Sequence, residues 1–527
     1  MPAIREALRE CSRTPGSTLV LPGDTLRIKP DYAFERFLRI SNNDPGAKRI
    51  AFDLEGVDGL TIEGNGTTLL FSGYISPFYI LDSWDITVKD LTIDFERPFV
   101  SEGTITASGD GWVDLSFAEE YGASLRSGLL VFRDRGRTRY PYGNLLEFDT
   151  QKKEVAYHVH DYWISDGAIP SSQNSDGTYR ISLPGLVGTV GNTLVFGAAA
   201  RLNPAFTLDG CDGFTLEDVH LYNCCGMGVI AQRSSDLELD RVQVAPSPGS
   251  ERVISISADA THFINCKGFI HMIDCDFRNQ KDDATNIHGW YASAREKVSD
   301  NELLVWYNYG MDFVLPGMEL EFVDHNTMMT YDTLRVMSVK KLNDEYSVLT
   351  FDRNLPEYLE VKDALADISC NPDVLISGCY IGNNRARGFL IGSKGHVVIE
   401  NNTFHTPGSA ILFEGDGNYW YEQSGVKDVT IRGNLFENCM YGSRTWGNAV
   451  ISVGSGIPDK EHSRYHGGIV VEDNTFRGFD SRIVNIYSVD GFTFRGNRIE
   501  TTGDYPPFGD PADALISEYC DNVKFEK

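Results

Sequence analysis

A nine-residue unit that returns ten times along the chain restricts this sequence to a repeat architecture. The units start at Gly59 (GLTIEGNGT), Asp85 (DITVKDLTI), Gly213 (GFTLEDVHL), Asp236 (DLELDRVQV) and Phe269 (FIHMIDCDF). They continue at Asp373 (DVLISGCYI), His396 (HVVIENNTF), Asp428 (DVTIRGNLF), Gly468 (GIVVEDNTF) and Gly491 (GFTFRGNRI). Positions two and four are apolar in every unit, the alternation of a strand with one buried face. Position seven is Asn in five of them: Asn65, Asn402, Asn434, Asn474 and Asn497. Several neighbouring units begin 23 residues apart, at 213 and 236, 373 and 396, and 468 and 491. A coil of that length cannot bury its apolar face alone, whereas stacked coils bury a continuous core and pair their backbone groups. The pattern predicts an all-β chain, a right-handed parallel β-helix. The Asn column fits a bend where stacked amides hydrogen-bond from coil to coil and tolerate left-handed backbone.

Two stretches break the repeat. Residues 101–200 and 291–370 hold strand-like runs without the unit, such as Gly128-Leu-Leu-Val-Phe132 and Tyr346-Ser-Val-Leu-Thr-Phe351. Both read as small antiparallel β modules or barrels inserted between coils. The expected organisation is an N-terminal cap with the first coils over 1–100 and an inserted module over 101–200. Coils carrying the candidate catalytic aspartates follow over 201–290, a second module over 291–370 and C-terminal coils over 371–527. Ile4 to Cys11 reads as an amphipathic helix closing one end of the solenoid, and Asp510 to Ile516 as a cap on the other.

The formal charge of −28 argues against nucleic acid and anionic membranes as partners. No apolar run is long enough for a membrane-spanning helix, so no membrane insertion is expected. The N-terminus has no apolar signal core, which leaves two expectations: a cytoplasmic protein, or an exported one whose signal is absent here. The ten cysteines show no CxxC spacing and read as buried thiols, not as a metal site. Homo-oligomerisation is left open.

Chemistry concentrates in Ser257-Ala-Asp-Ala-Thr-His and Gln280-Lys-Asp-Asp-Ala-Thr-Asn-Ile-His-Gly. Asp259 and Asp282 are 23 residues apart, and the coil register is expected to stack them, about 4.8 Å apart, with Asp283 beside them. Such carboxylates cannot all ionise freely, so one pKa rises while another stays low, the division of labour that glycoside hydrolysis needs. A calcium ion is the other way to offset them. Aligning Ala284-Thr-Asn-Ile-His288 with Ala410-Ile-Leu-Phe-Glu414 and Gly228-Val-Ile-Ala-Gln232 puts Gln232, His288 and Glu414 in one column. Asp416 and Trp420 follow, and aromatic rings beside carboxylates suit sugars. Arg385 and Arg387 either neutralise the carboxylates or decorate the surface.

The segments QKDDATNIHG and FEGDGNYWYEQSG, with Asp259 upstream, resemble glycoside hydrolase family 110. The two inserted modules fit that family as well, so the resemblance covers most of the chain. It implies an exo-acting, inverting α-1,3-galactosidase that needs no metal or other cofactor. The implied substrate is an oligosaccharide or glycoconjugate ending in α-1,3-linked galactose, branched as in the blood group B antigen or linear. Carried over, the family's aspartate trio falls on Asp259, Asp282 and Asp283. Gln232, Asn286, His288, Arg387, Glu414, Asp416 and Trp420 are the substrate-binding candidates. The competing readings are a polygalacturonase-like hydrolase, a calcium-dependent polysaccharide lyase and a non-catalytic glycan-binding solenoid.

Overall fold

The computed structural model describes residues 2–134, 138–164, 168–454, 456–508 and 513–526. Its core is a parallel β-helix whose coils build two long sheets, one of 20 strands and one of 13. The repeat units supply the first sheet. Phe214 pairs with Leu237, and Ile469 with Phe492, 23 residues on in each case. Longer coils keep the same face: Leu237 pairs with Ile270, and Val429 with Ile469. The apolar positions two and four point inward, as with Val429 and Ile431, both fully buried. The extra residues of the longer coils therefore loop out without disturbing the core.

The Asn column is a ladder. Asn434 Oδ1 accepts from Asn402 N (2.9 Å) and Asn402 Nδ2 (3.0 Å). Asn474 Oδ1 accepts in the same way from Asn434, and Asn497 Oδ1 from Asn474. The left-handed residue is not the ladder Asn but the one before it: Asn401, Gly433, Asp473 and Gly496 have φ of 57°, 65°, 55° and 62°. Asn65 departs from this pattern, with φ of 53° in a strand whose register shifts between Glu63 and Thr67.

Helix Pro2–Cys11 caps the start of the solenoid and buries Leu8 in the main core. At the other end, Asp510 lies outside the described residues. Leu515–Glu518 is a strand paired with Val484–Tyr487, so this part of the expected cap is a further rung. The first insertion runs from Ser101–Gly109 to Thr193–Ala198 as an antiparallel sheet with a smaller three-stranded sheet beside it. The second is a closed barrel of six strands from Ala292–Ser299 to Ala364–Asp367. An antiparallel pair, Phe34–Leu38 with Gly46–Glu55, adds a turn that carries Asn42 toward the middle of the helix. All ten cysteines are unpaired, and eight are buried. Among the described residues, no helix is long and apolar enough to cross a membrane.

Candidate active site

The site forms where coils of the second sheet turn into their strands. Thr261–Ile264 pairs with Thr285–Trp290 so that Thr261 lies opposite Thr285, and Thr285 lies opposite Phe389. Counting back two residues places Asp259, Asp283 and Arg387 at one level of three successive coils. The expected stacking of Asp259 on Asp282 is thus one residue out. The coil between these strands holds 24 residues, not 23, and Ala260 N donates to Asp283 O at 3.0 Å. Asp282 precedes the column and turns sideways. Oxygens of all three carboxylates nonetheless lie within 4.8 Å of one another.

They line a cavity of about 270 Å³ together with Asn286, Arg387, Glu414, Asp416, Trp420 and Glu422. The first insertion and its junction supply Trp163 and Arg201, and the N-terminal turn supplies Asn42.

Three guanidiniums offset the carboxylates unequally. Asp282 is bound by Arg201 and by Arg385 Nη1 (2.9 Å). Asp283 takes Arg387 in a fork, Nε at 3.0 Å and Nη2 at 2.8 Å, plus the Arg387 backbone N–H at 3.0 Å. Burial works to raise the Asp282 carboxyl, but Arg385 and Arg201 together hold it below its ordinary value. Burial pushes Asp283 up to about 6, helped by the charges of Asp282 and Asp259 and opposed by Arg387. The pair is therefore split, one carboxylate firmly ionised and its neighbour near the pH where a carboxylic acid can donate. The trio is close enough to share a cation, and the arginines already supply that positive charge.

Asp259 has a different partner: its Oδ2 lies 2.6 Å from His262 Nδ1. His262 Nε2 lies 3.0 Å from His288 Nε2, and Glu422 Oε1 is 3.6 Å from the same His288 nitrogen. Asn42 and Asn286 donate to the two oxygens of Glu422. Burial lowers the His288 pKa, while His288 and His262 hold Glu422 ionised against its own burial.

A second layer ties the first insertion to the site. Asp161 accepts from Arg385 Nε at 3.0 Å and lies 4.0 Å from Lys281 Nζ. Burial lowers the Lys281 ammonium to about 8.

The remaining candidates fall in different places. Gln232 and His288 share a column as the alignment predicts, but Ile264, which the alignment does not include, lies between them and breaks its polarity. Gln232 is not at the cavity; it binds Asp209 Oδ2 (2.9 Å) and Ser41 N (3.2 Å) behind it. Asp416 lines the cavity, yet its carboxylate is engaged by the backbone N–H groups of Asn418, Tyr419 and Trp420. It shapes the loop that presents Trp420, a ring 48% exposed at the cavity. Asn308 Nδ2, from the barrel insertion, fixes that loop through Trp420 O at 2.9 Å. Sequence reasoning missed Arg201, His262, Glu422, Asn42, Asp161 and Trp163. His262 and Glu422 stood inside the segments already weighed. The others are carried in by the insertion and the N-terminal turn, which have no repeat to align.

Comparison with known proteins agrees with this architecture. Family models match residues 101–190 ("GLAA-B beta-barrel domain I"), 308–365 ("GLAA-B beta-barrel domain II") and 368–455 ("Right handed beta helix region"). An α-1,3-galactosidase A of Shewanella woodyi is 34% identical over 516 residues, 96% of this chain and 84% of that protein. The chain belongs to glycoside hydrolase family 110, the α-1,3-galactosidase family. An α-1,3-galactosidase B of Bacteroides thetaiotaomicron, another relative, is 30% identical over 99% of this chain and 87% of its own length. Among solved structures, the endo-xylogalacturonan hydrolase of Aspergillus tubingensis covers 99% of this chain and 96% of its own at 10% identity. Its TM-score of 0.43 is too low to bear on function.

Proposed function

We propose that this chain hydrolyses terminal α-1,3-linked galactosides, branched or linear, from the non-reducing end, with Asp259, Asp282 and Asp283 as the reacting carboxylates. The observation that carries the reading is the convergence of the three carboxylates in one cavity of about 270 Å³ under unequal arginine pairing. A cavity of that volume suits one or two sugar rings and not a polymer groove, which favours exo action. In this reading Asp283 is the general acid, because its pKa of about 6 leaves it protonated in part near neutrality. Asp282 stays ionised and stabilises positive charge developing on the sugar ring. Asp259 accepts a proton from the attacking water. Trp420 packs on an apolar sugar face, while Glu414, Glu422, Asn286 and Arg387 bond hydroxyls.

Inversion is part of the proposal. It needs about 6.5–9.5 Å between acid and base, whereas retention uses about 5–5.5 Å. The close approach of the trio's oxygens, within 4.8 Å, favours retention as the second reading at this one point. NMR of the first-formed anomer from branched and linear α-1,3-galactosides tests both. β-Galactose appearing first supports inversion, and α-galactose supports retention. No galactose release from either substrate refutes the assignment.

A further inference from the structure

The hydrogen bonds behind Asp259 fix a proton count. His288 Nδ1 lies 2.8 Å from Gly289 O, and a carbonyl only accepts, so this nitrogen carries a hydrogen. His262 Nε2 and His288 Nε2 are 3.0 Å apart, a contact that requires one hydrogen between two ring nitrogens. His262 Nδ1 and Asp259 Oδ2 are 2.6 Å apart, which requires one more. None of the three contacts is open to water, since Asp259, His262 and His288 are 4%, 1% and 3% exposed. The three contacts therefore hold three hydrogens. Two neutral imidazoles and a carboxylate bring only two. One proton is in excess, and the group of three is neutral as a whole, not anionic.

That proton has three places to sit. Burial disfavours a charged His288. The contact between Asp259 and His262 remains, and a carboxylate against an imidazolium is the form in which Asp259 can still take the proton of the attacking water.

We infer that His262 is a positioning residue for the reaction: it shares one proton with Asp259, and His288 fixes the tautomer that makes this sharing possible. The inference rests on the hydrolytic reading of the site. Its consequence is geometric and electrostatic. Oδ2 of Asp259 is committed to His262, which leaves Oδ1 for the cavity that Asp259 lines. The shared proton also removes one negative charge from beside Asp282 and Asp283. Without it, Asp259 would be a further carboxylate anion within 4.8 Å of the arginine-paired Asp282 and Asp283.

The groups that face this unit are few. Asp282 and Asp283 come from the adjoining turn and Arg201 from the insertion junction. Glu422 and Asn286 lie on the His288 side, and Asn42 reaches Glu422 from the N-terminal turn. Glu422 is the anion nearest His288, so it favours the proton's retention in the unit.

The test uses the full chain with 15N-labelled histidine and has two arms. In the spectroscopic arm, His288 is expected as the Nδ1–H tautomer. A strongly deshielded proton is expected on the Asp259–His262 contact. Asp259→Asn should abolish that proton, because the amide N–H then donates to His262 Nδ1. A His288 with bare Nδ1, or no such proton in the wild type, overturns the count.

In the kinetic arm, His262→Asn keeps a donor at the Nδ1 position without an exchangeable charge, and His262→Gln withdraws it. Gln is expected to lower kcat by at least about 10-fold with KM little changed. Asn should recover part of the loss but with an altered acid limb of kcat/KM. Wild-type kcat and pH profile in both variants overturn the positioning role. Should the wild type release no galactose, the hydrolytic reading falls alone, and the spectroscopic arm still decides the proton count.

Discussion

Removing one rung of the Asn ladder gives the sharpest test of what holds the solenoid together. The Asn434 side chain is 1% exposed and takes part in four hydrogen bonds. Asn434→Ala deprives Asn402 N–H of its partner, deprives the Ile399 carbonyl of the Nδ2 donor at 2.9 Å, and takes one of two acceptors from Asn402 Nδ2 and one of two donors from Asn474 Oδ1. A buried polar group left without its partner costs about 1–3 kcal/mol, so the first two groups alone predict a loss of roughly 2–6 kcal/mol. Asn497 ends the ladder and is only half-buried, so water replaces what Asn497→Ala removes, and a loss of about 1 kcal/mol is expected. Thermal and urea unfolding of the two variants measure the difference. Because coils contact only their neighbours, the effect should remain local, with turnover at 25 °C little changed. Equal losses at the two positions, or a fall in turnover with unaltered stability, would refute the ladder argument.

Other outcomes follow from the same contacts. Asp283→Asn should reduce galactoside turnover by about 10² or more, because the amide oxygen keeps the Arg387 N and Nε contacts and gives up the Nη2 one, yet the amide cannot donate an acid proton; steady-state rates near the wild type would count against the acid role. His466 is buried with no hydrogen-bond partner among the described residues on either ring nitrogen, and burial pushes it down to about 3 from 6.5. Its folded pKa lies below its unfolded one, so the unfolded chain binds the extra proton between those values and stability falls as pH drops through that window. His466→Phe should therefore gain on the wild type by roughly 3 kcal/mol on going from pH 7 to pH 4. Denaturant midpoints at the two pH values check this, and a constant difference between the proteins would sink it.

The β-helix was legible because its cause is periodic. Each coil must present apolar side chains at fixed positions, as Val429 and Ile431 do opposite Val397 and Ile399 of the preceding coil. The spacing of 23 held for coils with short turns and failed in places that matter chemically. Between Thr261 and Thr285 the coil gains a residue at the turn, and a turn leaves no hydrophobic signature by which to count it. The same weakness hid the left-handed position, which moved from the ladder Asn to its predecessor.

The site was half legible for a related reason. Three aspartates were readable because they share one short stretch of coil with a repeat on each side to set the register. Their counter-charges were readable only as an open choice for Arg385 and Arg387, and not at all for Arg201. Arg201 is 81 residues from Asp282, and Arg385 is 103 from it. The barrel insertion separates Asp282 from Arg385 and lengthens that coil to 104 residues, as Thr285 opposite Phe389 shows. An arginine in such a place has no pattern around it, and its role appears only when the chain closes. Yet the carboxylates implied that something positive must stand there, since three of them within 4.8 Å, two buried and one half-buried, are untenable alone. The sequence thus stated the electrostatic demand and offered Arg385 and Arg387 without deciding their role; the fold places both on the carboxylates and adds Arg201. It follows that substitutions at Arg201 or Arg385 should act on the chemistry through Asp282, although neither residue belongs to the repeat that builds the site.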